Sequence, residues 1–126
     1  MVCAPQTRVA LDETTRTLFV DGTAVAFSRT HFLVVRSLVH SFREDRANER
    51  APENHRTISA PCLAEIAGDA GDTAGRQYVH RVRTDINEAY KNHLGVDLPL
   101  NAIIENIRGK GYRLNPAVLI IALDQM

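Results

Sequence analysis

The chain has 126 residues, 44% of them apolar and 24% charged, with fifteen Lys and Arg balancing fifteen Asp and Glu. That length suits one domain with a core of its own, and the composition is that of an ordinary globular protein, which excludes bulk disorder and a membrane span. Zero net charge removes any argument from overall charge for a nucleic-acid or membrane partner, so a charged site has to come from local clustering.

The first residues, "MVCAPQTRVALDETT", contain no apolar signal segment, and the apolar run Ala117 to Leu123 is far shorter than the ~20 residues a spanning helix needs. Cys3 and Cys62 lie far apart with no His or Cys at ligand spacing, which excludes a disulfide framework and a zinc site and fits a reducing cytoplasm. Residues 1–6 read as an N-terminal tail. From residue 8, "RVALDETTRTLFVDGTAVAF" alternates β-prone runs with polar breaks, and Asp21-Gly22 is a two-residue turn between two of them. A small antiparallel sheet is expected first.

Ser28 then caps "RTHFLVVRSLVHSF", where Phe32, Val35, Leu38, Val39 and Phe42 recur at helical spacing. The polar stretch that follows, "REDRANERAPENHR", has four acidic and four basic residues and reads as a frayed helix end and solvated loop without a site. In "ISAPCLAEIAG" a short second helix is capped by Ser59, tolerates Pro61 in its first turn and ends at Gly68. Thr73 is the expected cap of a long third helix, about residues 74–93, which Gly95 terminates.

On that third helix Val79, Val82, Ile86 and Tyr90 form one stripe at 100° per residue, while Gln77, Arg81 and Thr84 point the other way. His80 and Lys91 flank the outer face, and Arg76 and Arg83 stand nearer the core boundary, where their stems can snorkel outward. The segment "IENIRGKGYRL", residues 104–114, is a hairpin in which Gly109 and Gly111 let the chain reverse with Arg108, Lys110 and Arg113 on or beside the turn. Between Gly75 and Arg113 there are seven basic residues (76, 81, 83, 91, 108, 110, 113) and four acidic ones (85, 88, 97, 105), a local excess of three. An amphipathic helix with Arg and Gln outward has the groups to read base edges in a major groove. A short helix, a tight link, a longer basic helix and a cationic hairpin make a helix-turn-helix followed by a wing.

Three blocks then resemble the OmpR/PhoB-type winged-helix DNA-binding domains, the output domains of many bacterial response regulators. "LFVDGTAVAFSRTHFLVVRSLV" looks like the family's strand, turn, strand and first helix; "RQYVHRVRTDI" is similar to its recognition helix; "IENIRGKGYRL" resembles its wing, an apolar strand followed by V-R-G-x-G-Y. The resemblance implies an α+β fold: an N-terminal antiparallel sheet, a three-helix core and a C-terminal β-hairpin wing over residues 7–115, with 116–126 left as an apolar tail. It implies that Gln77, His80, Arg81 and Thr84 face bases and that Arg76 and Arg83 lie near phosphates. Arg108 and Lys110 would carry the wing to the backbone or to a minor groove. The implied partners are double-stranded DNA, RNA polymerase or another regulator, and a second copy of the chain on DNA.

His31 stands where the family commonly has glutamate, so the capping box of the first helix is lost, and the polar loop 43–57 and the segment 89–103 are longer than usual. The chain is too short to hold a receiver domain as well, so control by a built-in phosphorylated aspartate is not expected.

No nucleophile elbow, Walker A loop or His-Glu-x-x-His occurs, so the reading is non-catalytic, without cofactor or metal, and its rival is a winged helix that binds protein. The five histidines lack ligand spacing. Tyr112 is expected to pack on the third helix, with base stacking as the alternative for it and Tyr78. The tail has to bury its apolar run against its own sheet, the favoured expectation, or against a second copy.

Overall fold

In a computed structural model of the chain, residues 7–126 are described, and the expected N-terminal tail over residues 1–6, with Cys3, lies outside them. Three strands open the fold: β1 (Arg8–Asp12), β2 (Thr17–Val20) and β3 (Thr23–Ala26), paired antiparallel in sequence order. The β2–β3 link is Asp21-Gly22, both with positive φ (49° and 85°), the two-residue turn whose twist matches the flanking strands. Asp21 also accepts the Arg8 backbone N–H at 2.8 Å through Oδ1, so one aspartate joins the turn to the first strand.

Ser28 caps α1 (Arg29–Ala47), its hydroxyl accepting the His31 N–H at 3.4 Å. The helix outruns the expected boundary at Phe42 by more than a turn, because Asp45 is itself a core residue, 1% exposed. Asp45 accepts the Arg56 backbone N–H at 2.8 Å and the Arg56 Nε at 2.7 Å, and Arg50 approaches it at 3.3 Å. Burial alone would push its carboxyl up, but the Arg56 backbone N–H and guanidinium outweigh this and hold it below the usual carboxylate range. The stretch expected to be a solvated loop is therefore pinned to the end of α1.

Ser59 caps α2 (Ala60–Ile66), accepting from the Cys62 N–H at 3.3 Å, and Pro61 sits in its first turn, where no N–H is needed. The next helix, α3 (Asp72–Leu94), begins earlier than Thr73 predicts: Gly71, at φ 95°, turns the chain, and Asp72 enters the first turn, where a carboxylate complements the helix dipole. Gly95, at φ 74°, ends it in the left-handed conformation.

Gly75 lets α2 and α3 meet. A Cβ there would lie 1.8 Å from the Ala60 carbonyl oxygen, so only glycine permits this crossing. Leu63 and Ala64 of α2, Val79, Val82 and Ile86 of α3, and Phe32, Val35, Leu38 and Val39 of α1 close the core.

The chain then forms the hairpin β4 (Ile104–Ile107) and β5 (Gly111–Leu114), with Ile107 opposite Gly111. A third short pairing braces it: Tyr112 and Ile58 exchange both backbone hydrogen bonds, at 2.7 and 2.9 Å. Gly111 is required by that approach, since a Cβ would come 2.4 Å from the Ile58 carbonyl oxygen.

Residues 116–126 return to the first sheet. There β6 (Leu119–Ile120) pairs parallel with β1, giving the order β3-β2-β1-β6, and Val118 is 1% exposed. The apolar run covers an edge of the protein's own sheet, as favoured over a second copy. Among the described residues no helix is long and apolar enough to cross a membrane.

Candidate nucleic-acid interface

Two ties fix the roll of α3. Near its C-terminus Tyr90 donates to Asp21 Oδ2 at 3.1 Å, and Thr23 Oγ1 lies 2.8 Å from His93 Nδ1, anchoring the helix on the β2–β3 turn. Near its N-terminus Tyr78 donates to Asp69 Oδ2 at 2.8 Å and packs edge-on against His31, locking the α2–α3 link. The Asp69 hydrogen bond raises the Tyr78 phenol above its ordinary value, with burial adding to it. Tyr78 is thereby committed to the scaffold.

With that roll, Arg76, Gln77, His80 and Arg81 are exposed and Val79, Val82 and Ile86 are buried. Arg76, expected near the core boundary, is instead two-thirds exposed and paired with Asp72 at 2.7 Å, one turn back. Arg81 pairs with Asp85 at 3.5 Å in the same i,i+4 manner. Thr84 is half-buried; its hydroxyl donates to the His80 carbonyl at 2.9 Å, which leaves its methyl as the group on offer.

The hairpin sorts its cations differently. Arg108 and Lys110 flank Gly109 (φ 78°) at the exposed tip. Arg113 does not belong with them: its side chain is 13% exposed and turns to the base of the hairpin. There it donates to the Pro52 and His55 carbonyls at 3.2 and 3.0 Å and pairs with Glu105, directly opposite on β4, at 3.3 Å. Arg83 is likewise engaged, donating to the Ile104 carbonyl through Nη2 and to Asn101 Oδ1 at 3.3 Å, with its guanidinium over the Tyr112 ring. Tyr112 is buried and meets α3 through that guanidinium, while its strand packs against α1.

One cleft of about 440 Å³ joins the two cationic elements. Asp72 and Arg76 of α3, Ser59 to Pro61 at the start of α2, and Asn106 to Tyr112 of the hairpin line it, so the first turn of α3 and the wing tip border the same concavity. Arg76 of α3 and Arg108 and Lys110 of the tip are thus exposed around one cleft, with Arg81 exposed further along the helix, while Arg83 and Arg113 are built into the frame. Among the described residues no group of three His, Cys, Asp or Glu is placed to hold a metal ion.

An N-terminal sheet, three helices with a helix-turn-helix at α2–α3, and a C-terminal hairpin define a winged helix. Solved structures share this fold. The DNA-binding domain of the response regulator AdeR, crystallised with an intercistronic region, superposes with a TM-score of 0.56 at 16% identity, over 85% of this chain and 93% of that one. The Klebsiella pneumoniae RstA DNA-binding domain in complex with the RstA box gives 0.52 at 18% identity, over 84% and 89%. A member of a family of streptococcal redox sensors evolved from two-component response regulators gives 0.59 at 16% identity, over 90% of this chain and 43% of that one. No protein-family model matches the chain, and no curated protein matches it in sequence. The fold is that of the OmpR/PhoB-type winged-helix domains.

Proposed function

We propose that the protein is a non-catalytic, sequence-specific double-stranded DNA-binding regulator of transcription. The observation that carries this reading is the shared cleft: Arg76 on the outer face of α3 and Arg108 and Lys110 at the tip of the β4–β5 hairpin are exposed around one concave surface, which a duplex strand can enter. In this reading α3 lies in the major groove, where Gln77, His80 and Arg81 reach base edges and the Thr84 methyl meets a thymine methyl. Arg76 lies over a phosphate. Arg108 and Lys110 take the wing to the backbone or the adjacent minor groove. The neighbours AdeR and RstA are described with DNA, which supports the same reading for this chain.

The deciding experiment is a selection from random duplexes, followed by binding of the selected site at several salt concentrations. A DNA reader yields a preferred sequence and an affinity that falls steeply with salt, because each neutralised phosphate releases counterion. A winged helix that serves as a protein-binding module yields no preferred sequence and little salt slope.

A further inference from the structure

Of the cations on α3, Arg83 alone points back into the molecule. Its Nη2 donates to the carbonyl of Ile104, the first residue of β4, and to Asn101 in the segment leading into it. The face of its guanidinium lies 5.9 Å from the centroid of Tyr112, in β5. One planar group therefore touches both strands of the wing and the loop before them from a single position on the reading helix.

Its surroundings are those of a structural part. The Nε is buried without a partner, and no carboxylate pairs with it among the described residues. Burial accordingly pulls the guanidinium below its ordinary value. A side chain kept only to meet phosphate would stay in water, as Arg76 and Arg81 do.

We propose that Arg83 is a positioning residue, a strut that fixes the wing against α3 at the spacing that lets both meet one duplex, and not a phosphate ligand. The part concerning the duplex rests on the DNA-binding reading above; the strut itself does not. Lysine cannot replace it. Both bonds leave one nitrogen, Nη2, so an ammonium could donate them, but lysine has a shorter reach and no planar face to lie over the Tyr112 ring while it does so.

Two measurements on Arg83→Lys and Arg83→Met test this. In the DNA-free protein, hydrogen exchange should quicken in both variants at the amides of Ile104 to Ile107 and Gly111 to Leu114, while the amides of Val82 and Ile86 keep their parental rates. On a selected duplex, both variants should lose affinity by about tenfold, the size of one anchored contact. Lys110→Ala should cost less in the Arg83→Met background than in the parent, because a loosened wing no longer benefits from the helix's binding.

A phosphate ligand gives the opposite pattern. Arg83→Lys restores binding, the Lys110→Ala penalty is the same in both backgrounds, and β4 exchange is unchanged; any of these overturns the strut. A parent that selects no duplex removes the proposed function, and the exchange measurement alone then decides the strut.

Discussion

Residues 43–56 and 72–91 are both dense in charge, yet the fold uses them in opposite ways. The first stretch turns its charge inward: Asp45 is buried at the end of α1 and gathers the Arg56 backbone N–H and two guanidinium groups, closing the loop that braces the wing. The second, Arg83 apart, turns its charge outward, in i,i+4 pairs between Asp72 and Arg76 and between Arg81 and Asp85. Exposed helix pairs contribute little to stability, so those arginines can exchange a carboxylate for a phosphate or a base at small cost. A carboxylate bonded to a backbone N–H in the core has no such freedom. Composition does not separate the two cases; burial and backbone hydrogen bonding do.

The comparison is broken most severely where the outward-facing helix meets its neighbour. Gly75→Ala drives a methyl group into the Ala60 backbone, which cannot yield as a flexible side chain would, and should destabilise the protein by about 3 kcal/mol or more. Urea denaturation measures this directly, and duplex binding should fall with the folded fraction. Parental stability in that variant would show that the α2–α3 crossing is looser than described.

Asp45→Ala comes next, at about 2 to 3 kcal/mol, the range for a buried hydrogen-bonded charge. Arg50 and Arg56 are half exposed and can turn to water, which keeps the loss below that of a sealed ion pair. The pH dependence follows from the lowered carboxyl. A group with a depressed folded-state pKa stabilises above its ordinary value of 3.8, and the contribution is lost as pH falls through the folded value. The gap in stability between the parent and Asp45→Asn should therefore be wide at pH 7 and shrink below about pH 4. A gap that stays constant into acid would mean that the Asp45 charge does not hold the loop.

Most of the frame is legible in the sequence because its signals are local. Asp21-Gly22, the caps Ser28 and Ser59, the stop at Gly95 and the tip glycine Gly109 each act within a few residues of themselves. What stayed hidden is set by distant partners. Hydrophobic periodicity stops at Phe42, so nothing marks Asp45 as the residue that extends α1; its partner Arg56 lies eleven residues on. Arginine has a stem long enough to reach water or to fold inward, and spacing alone does not tell Arg76, which is exposed, from Arg83 and Arg113, which turn into the frame. The tail's apolar run announces burial, but its parallel pairing with β1 is a contact across the whole chain. Gly75 did leave a trace: a lone glycine inside a helical pattern points to a close approach.

Within the outward-facing stretch, Arg81→Ala should reduce affinity for a selected site by about 1 to 3 kcal/mol and relax preference at one base position. Lys110→Ala should instead weaken all duplexes alike and lower the salt slope by about 1. If the two variants behaved identically, the division of labour between helix and wing would be wrong.

The smallest expected effect tests the carboxylates that hold those arginines. Asp85→Asn frees Arg81 from its pair and removes a negative charge from the face proposed to meet DNA, so affinity for random duplex should rise about twofold, the scale of an exposed intrahelical pair. The selected site should gain less, because a base contact already draws Arg81 away from Asp85, and discrimination should narrow. Asp97→Asn is the matching control. It frees Lys91 at the far end of α3 and changes the net charge equally. Screening confines the influence of an exposed charge to about 10 Å in moderate salt, so this second variant should leave both affinities nearly unchanged. An equal rise from both would mean that net charge alone sets binding, and the outward pairing of Arg81 would then carry no meaning for recognition.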